Sequence, residues 1–109
     1  MEISDKLAGG VTIVDLTGRI DSTTARSVGA KLTSLIHSGR TRIVIDLARV
    51  SYISSAGFRV LLVAARLAEG ANATLALCRL SAEVRKLFEV AGFADLFEIH
   101  QSRPEGSFP

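Results

Sequence analysis

The sequence predicts a single α/β domain with a mixed, largely parallel β-sheet and packed α-helices in the order β-β-α-β-α-β-α-β. Three observations carry that expectation. Runs rich in β-branched residues alternate with stretches whose apolar residues recur every three or four positions. Glycines fall where those stretches should stop. A chain of 109 residues that is 48% apolar and 22% charged suits one folded core. Strands that alternate with helices need right-handed crossovers, and these build a parallel sheet.

The opening "EISDKL" leads through Gly9 and Gly10 into "VTIVDL", residues 11–16, which reads as a hairpin whose second strand ends at a Thr17-Gly18 loop. Ala25, Val28, Leu32, Leu35 and Ile36 then recur at helical spacing, which predicts a helix over residues 22–37 with Asp21, Ser22 and Thr23 as capping candidates. "RIVIDLA", residues 42–48, is almost uninterrupted in Ile43, Val44, Ile45 and Leu47, the pattern of a central strand covered on both faces. A second apolar stripe through Phe58, Leu61, Leu62 and Ala65 predicts a helix over 56–69. "ATLALCRL", residues 73–80, reads as another buried strand. Ser81 and Glu83 open a helix with Val84, Leu87, Phe88 and Ala91 on one side, stopped at Gly92. "LFEIH", residues 96–100, is a last short strand. The domain is expected over 1–101 and a flexible polar tail over 102–109, where Arg103→Ala should change nothing measurable. Because each helix carries one apolar stripe, the pattern leaves open whether the helices cover one face of the sheet or both.

Composition narrows the function. Thirteen basic residues against eleven acidic ones are scattered along the chain, with no basic stripe and no interleaved aromatics, so nucleic acid is not an expected partner. No segment has the roughly 18 uninterrupted apolar residues of a membrane span, and no leader pattern is visible at the N-terminus. The lone cysteine, Cys78, lies in an apolar run and reads as a core residue in a reducing, cytoplasmic setting. Metal binding has no ligand cluster, and no phosphate loop or dinucleotide fingerprint implies a cofactor.

The segment "VSYISSAGFRVLL", Val50 to Leu62, places Ser54 and Ser55 between a strand and a helix. A hydrolase nucleophile also sits at such a junction. The surrounding residues, however, are Ile53, Ser54, Ser55, Ala56 and Gly57, without the first glycine of G-x-S-x-G, and His37 and His100 form no evident triad. No catalytic residue is therefore assigned. A serine that caps the helix accounts for one hydroxyl, at about 1 kcal/mol. The other stands where a phosphate would meet free N–H groups and a favourable dipole.

"ARVSYISSAGFRVLL" resembles the signature of STAS domains, in particular the stand-alone bacterial anti-sigma factor antagonists, whose stretch typically reads D-S-[ST]-G-[LI]-G at a helix start. Aligned on Gly57, Ser55 falls on the phosphorylated serine, Ser54 replaces the usual aspartate, and Ala56 replaces the second hydroxyl residue. "LTGRIDSTTA", Leu16 to Ala25, is similar to the family's second motif, and the resemblance covers roughly residues 2 to 100. It implies a domain without catalysis that binds an anti-sigma factor with a histidine-kinase-like serine kinase fold, releases a sigma factor, is switched off by serine phosphorylation, and is reset by a serine phosphatase. Carried over, Ser55 is the phosphoacceptor, with Ser54 as the alternative. Asp21, Ser22, Ser54, Ser55, Gly57, Phe58 and Arg59 form the partner surface. The missing acidic neighbour keeps open a second possibility, a STAS scaffold or sensor-complex module that is not phosphorylated.

Overall fold

The computed structural model describes residues 1–103. Its elements follow the expected order: β1 (Glu2–Ala8), β2 (Val11–Ile20), α1 (Ala25–His37), β3 (Arg42–Ile53), α2 (Ser55–Gly70), β4 (Thr74–Cys78), α3 (Ala82–Ala91), a 3₁₀ turn (Ala94–Leu96) and β5 (Glu98–His100). The strands lie in the order β1-β2-β3-β4-β5. β1 runs antiparallel to β2, and every other neighbouring pair is parallel. Gly9 and Gly10, at φ of 59° and 84°, make the hairpin turn, whose two positive φ values match the twist of the strands they join.

All three helices lie on one face. Val28, Leu32, Leu35 and Ile36 of α1, Phe58 and Leu61 of α2, and Val84 and Phe88 of α3 share one core with Val14, Leu16, Ile43, Ile45, Leu47, Leu75 and Leu77. Alternation along the strands sends Val11, Ile13, Val44, Ala76 and Cys78 to the opposite face, where they form a second, smaller buried cluster. Burial pushes the Cys78 thiol up to about 12, so it is neutral and unreactive at ordinary pH. An aromatic group closes the helical core. Phe58 meets Phe88 edge-on at 4.8 Å, stacks on Phe93 at 4.9 Å, and so ties α2 to the end of α3.

Several boundaries differ from the sequence reading, for physical reasons. Thr17 and Gly18 are not a loop: β2 continues to Ile20 because β3 bulges beside them. Asp15 pairs with Asp46 and Thr17 with Arg49, so β3 gains a residue there; it gains another between Gly18↔Val50 and Arg19↔Tyr52. These bulges also carry β3 past Ala48 to Ile53. Helix α1 starts at Ala25, not at residue 22, because Asp21 to Thr24 form a turn of their own in which the Asp21 carbonyl accepts the N–H groups of Thr24 and Ala25. Strand β4 stops at Cys78, where Arg79 turns to φ 57°. Leu96 and Phe97 lie outside β5: Leu96 ends the 3₁₀ turn and Phe97 follows it.

The helix-free face holds the largest departure. Asp46, which the sequence reading of this strand did not single out, is 1% exposed. Its Oδ1 accepts the Ala48 N–H at 2.9 Å, satisfying a donor that the first bulge takes out of the ladder. Its Oδ2 accepts from Arg79 Nε at 2.9 Å and Arg103 Nη1 at 3.1 Å, and Arg103 also grips both oxygens of Asp15. Arg103 is thus no idle tail residue: after β5 the chain crosses β4 and β3 to reach β2. The remainder of the expected tail, residues 104–109, lies outside the described residues.

Candidate functional site

The site assembles where β2 and β3 end and their helices begin. Ser54 lies in extended conformation, φ −87° and ψ 174°, and is the N-cap of α2. Its Oγ accepts the Gly57 N–H at 3.3 Å, its carbonyl accepts the Phe58 N–H at 2.9 Å, and its own N–H donates to the Ile20 carbonyl at 2.8 Å. The last bond joins the two loops, bringing the turn at Asp21 beside the start of α2. Ser54 has therefore committed its hydroxyl. Ser55, the first residue of the helix, is exposed, and its hydroxyl has no hydrogen-bond partner among the described residues.

Gly57 sets how closely α2 approaches the sheet. A Cβ there would stand 2.8 Å from Ile20 Cγ2, 2.9 Å from the Ile20 carbonyl oxygen and 2.9 Å from Ile53 Cγ2, distances that real Cβ atoms do not adopt. Glycine is required by that contact, because the Ile20 carbonyl is fixed by its bond to Ser54.

The neighbouring turn is rigid. Asp21 Oδ1 accepts from the Thr23 N–H at 3.0 Å, the Thr23 hydroxyl at 2.7 Å and the Thr24 N–H at 3.3 Å. The Thr23 hydroxyl foremost, with these N–H donors, holds the Asp21 carboxyl below its ordinary range. The Thr24 hydroxyl accepts the Asp21 N–H at 2.9 Å and donates to the Arg19 carbonyl at 2.7 Å. Asp21 is thus a turn-forming residue that stays charged at neutral pH, and Ser22 beside it is exposed.

Of the residues singled out from sequence, Asp21, Ser22, Ser54, Ser55 and Gly57 come together at this junction. Arg59 is exposed one turn along α2. Phe58 is 4% exposed and belongs to the core, so it acts by anchoring the helix. Sequence reasoning missed Arg19, whose guanidinium lies 4.4 Å from the centre of the Tyr52 ring, bracing the ends of β2 and β3 on the helix-free side. That pair needed the register of the two bulged strands to be seen. His100 lies 2.6 Å from Glu98 and His37 ends α1; neither is hydrogen-bonded to Ser55. No helix among the described residues is long and apolar enough to cross a membrane.

Comparison with known proteins agrees with this fold. The STAS domain profile matches residues 2–106. The Bordetella bronchiseptica protein BtrV, which carries the name of an anti-sigma factor antagonist, is 37% identical over 103 residues, spanning 94% of this chain and 89% of that one. Two solved structures share the fold. Unphosphorylated SpoIIAA, an anti-sigma factor antagonist, superposes with a TM-score of 0.75 at 23% identity, covering 90% of this chain and 87% of its own. The phosphorylated form of Bacillus SpoIIAA gives 0.68 at 22% identity, covering 90% of each.

Proposed function

The chain belongs to the STAS domain family, and on that premise we propose that it is an anti-sigma factor antagonist: unphosphorylated, it binds an anti-sigma factor that is also a serine kinase, and phosphorylation of Ser55 switches it off. The observation that carries this reading is the division of labour between the adjacent serines. Ser54 caps α2, while Ser55 offers an unengaged hydroxyl to solvent at the same helix start. The 37% identity to BtrV over nearly the whole chain supports the class of partner. A serine phosphatase would reset the switch, and the domain itself performs no catalysis.

The mechanism follows from charge. Phosphorylation adds about −1.5 to −2 charges and three acceptor oxygens. At the first residue of a 16-residue helix the dipole favours that charge by about 0.3–1 kcal/mol at an exposed position, so the fold survives. A partner surface shaped around a neutral hydroxyl must instead desolvate a dianion beside the charged Asp21, and like charges brought together at an interface cost several kcal/mol. Ser55→Asp is expected to keep the wild-type circular dichroism and melting temperature while weakening anti-sigma factor binding, measured by calorimetry, about tenfold or more; about 1.4 kcal/mol suffices for that factor. Ser55→Ala should bind as wild type and resist modification. Equal binding by Ser55→Asp and wild type would refute the switch.

One observation favours a second reading. With Ser54 in place of an acidic residue, the phosphoacceptor lacks the neighbour that a kinase would meet in the family's usual motif. A module that binds its partner constitutively through the same surface would show no effect of ATP and kinase.

A further inference from the structure

Helices α1 and α2 leave a groove of about 400 Å³ between them on the outer surface of the domain, and its lining on α2 starts at Arg59, four residues after Ser55. Its floor is apolar. Gly29 and Ala30 contribute almost no side chain from α1, and Val60 and Val63 form the α2 wall. A Cβ on Gly29 would lie 3.3 Å from Val60 Cγ1, so the helices are in contact beneath the groove. Val63 is 59% exposed, a branched side chain with nothing over it. Arg26, the second residue of α1, and Arg59, the fifth of α2, line the groove toward the helix starts, both exposed. Neither guanidinium has a hydrogen-bond or ion-pair partner among the described residues, and no acidic side chain lines the groove. The charged carboxylate at the neighbouring turn, Asp21, does not line the groove, and its Oδ2 lies 4.0 Å from Arg19 Nε.

An occupant must therefore supply an apolar stripe along the floor and negative charge at the lip. The trough lies between two helices with no strand edge to extend, which suits a helix. From Ala25 to Thr33 its α1 wall spans nine residues, about 12 Å or two turns. We infer that this groove docks an acidic amphipathic helix of the same partner that meets Ser55, and that phosphorylation at Ser55 closes it. The second half rests on the reading of Ser55 as phosphoacceptor. Arg59 is four residues after Ser55 on the same helix, the spacing at which an acidic group pairs best with a following cation. A phosphate on Ser55 would take the Arg59 guanidinium as its own counter-charge and repel the incoming carboxylates. The switch would then act by withdrawing a positive charge as well as by adding a negative one.

The probe is a synthetic helical peptide of about three turns with leucines at i, i+3, i+4 and i+7 and glutamates at both ends, titrated into the ¹⁵N-labelled chain. A control peptide carries lysines in place of the glutamates. The acidic peptide should shift the amides of Gly29, Ala30, Val60 and Val63, and the lysine peptide should not. Val63→Glu, at an exposed position that leaves folding intact by circular dichroism, should weaken the acidic peptide at least tenfold. Shifts confined to the helix-free face, equal binding of both peptides, or wild-type affinity in Val63→Glu would overturn the groove. Ser55→Asp separates the two claims. If it binds the acidic peptide as tightly as wild type, the coupling to Ser55 is wrong and the groove stands. If the groove binds no peptide while anti-sigma factor binding still depends on Ser55, the docking claim alone fails.

Discussion

Ile45→Asp should lower the melting temperature of the domain by roughly 20 °C or more. Ile45 is fully buried at the middle of β3, paired in register with Val14 on one side and Leu77 on the other. All three belong to the single core that the helices cover. An aspartate there loses the apolar burial of isoleucine and puts a carboxylate where no donor or cation is available, a combined cost of about 4 kcal/mol or more. A domain of this size has roughly 5–15 kcal/mol in total, so that loss removes a large share of its stability and should be plain in a thermal melt followed by circular dichroism. A wild-type melting curve would show that β3 is not the centre of the sheet.

Asp46→Ala should be the next most damaging change, on the opposite face of the same strand. It removes the acceptor of the Ala48 N–H in the first bulge and the carboxylate to which Arg79 and Arg103 both donate. Breaking a buried ion pair typically costs 3–5 kcal/mol. Here the figure should lie near the lower end, about 3 kcal/mol, because the Arg79 side chain is 41% exposed and can rehydrate. Asp46→Asn keeps an acceptor for Ala48 but not the charge and should lose less. Urea unfolding of the two variants beside wild type measures both effects. If Asp46→Ala unfolds at the wild-type midpoint, the charge network does not hold this face.

The order of elements was legible because periodicity is a local property. Ile43, Val44, Ile45 and Leu47 announce a strand covered on both faces, and Ala25 to Ile36 announce a helix, whatever the rest of the chain does. The choice between one helical layer and two was not legible, since a helix stripe states only that it is buried. What allows one face of the sheet to go without helices is the Asp15–Arg103–Asp46–Arg79 network with the small cluster around Val44. Its members lie 88 residues apart at the widest, and no local pattern links them. For the same reason Arg103 read as tail, and Thr17-Gly18 read as loop when bulges in a distant strand keep it in the sheet.

The site was legible in a different way. The serine pair at a strand-to-helix junction was plain in the sequence, but which hydroxyl was free depended on the cap geometry. Only the bond from Gly57 N–H to Ser54 Oγ assigns Ser54 to the cap. The need for glycine at position 57 likewise rests largely on Ile20, 37 positions earlier, together with Ile53 at the end of β3.

The central claim, that Ser55 is the residue modified, is tested most directly by incubating the full chain with ATP and a histidine-kinase-like anti-sigma factor serine kinase that binds it, then locating the product by intact and tandem mass spectrometry. The exposed, unengaged hydroxyl predicts one phosphate, on Ser55, absent from Ser55→Ala and retained in Ser54→Ala. A phosphate on Ser54, or none on a chain that still binds that kinase, would contradict the account.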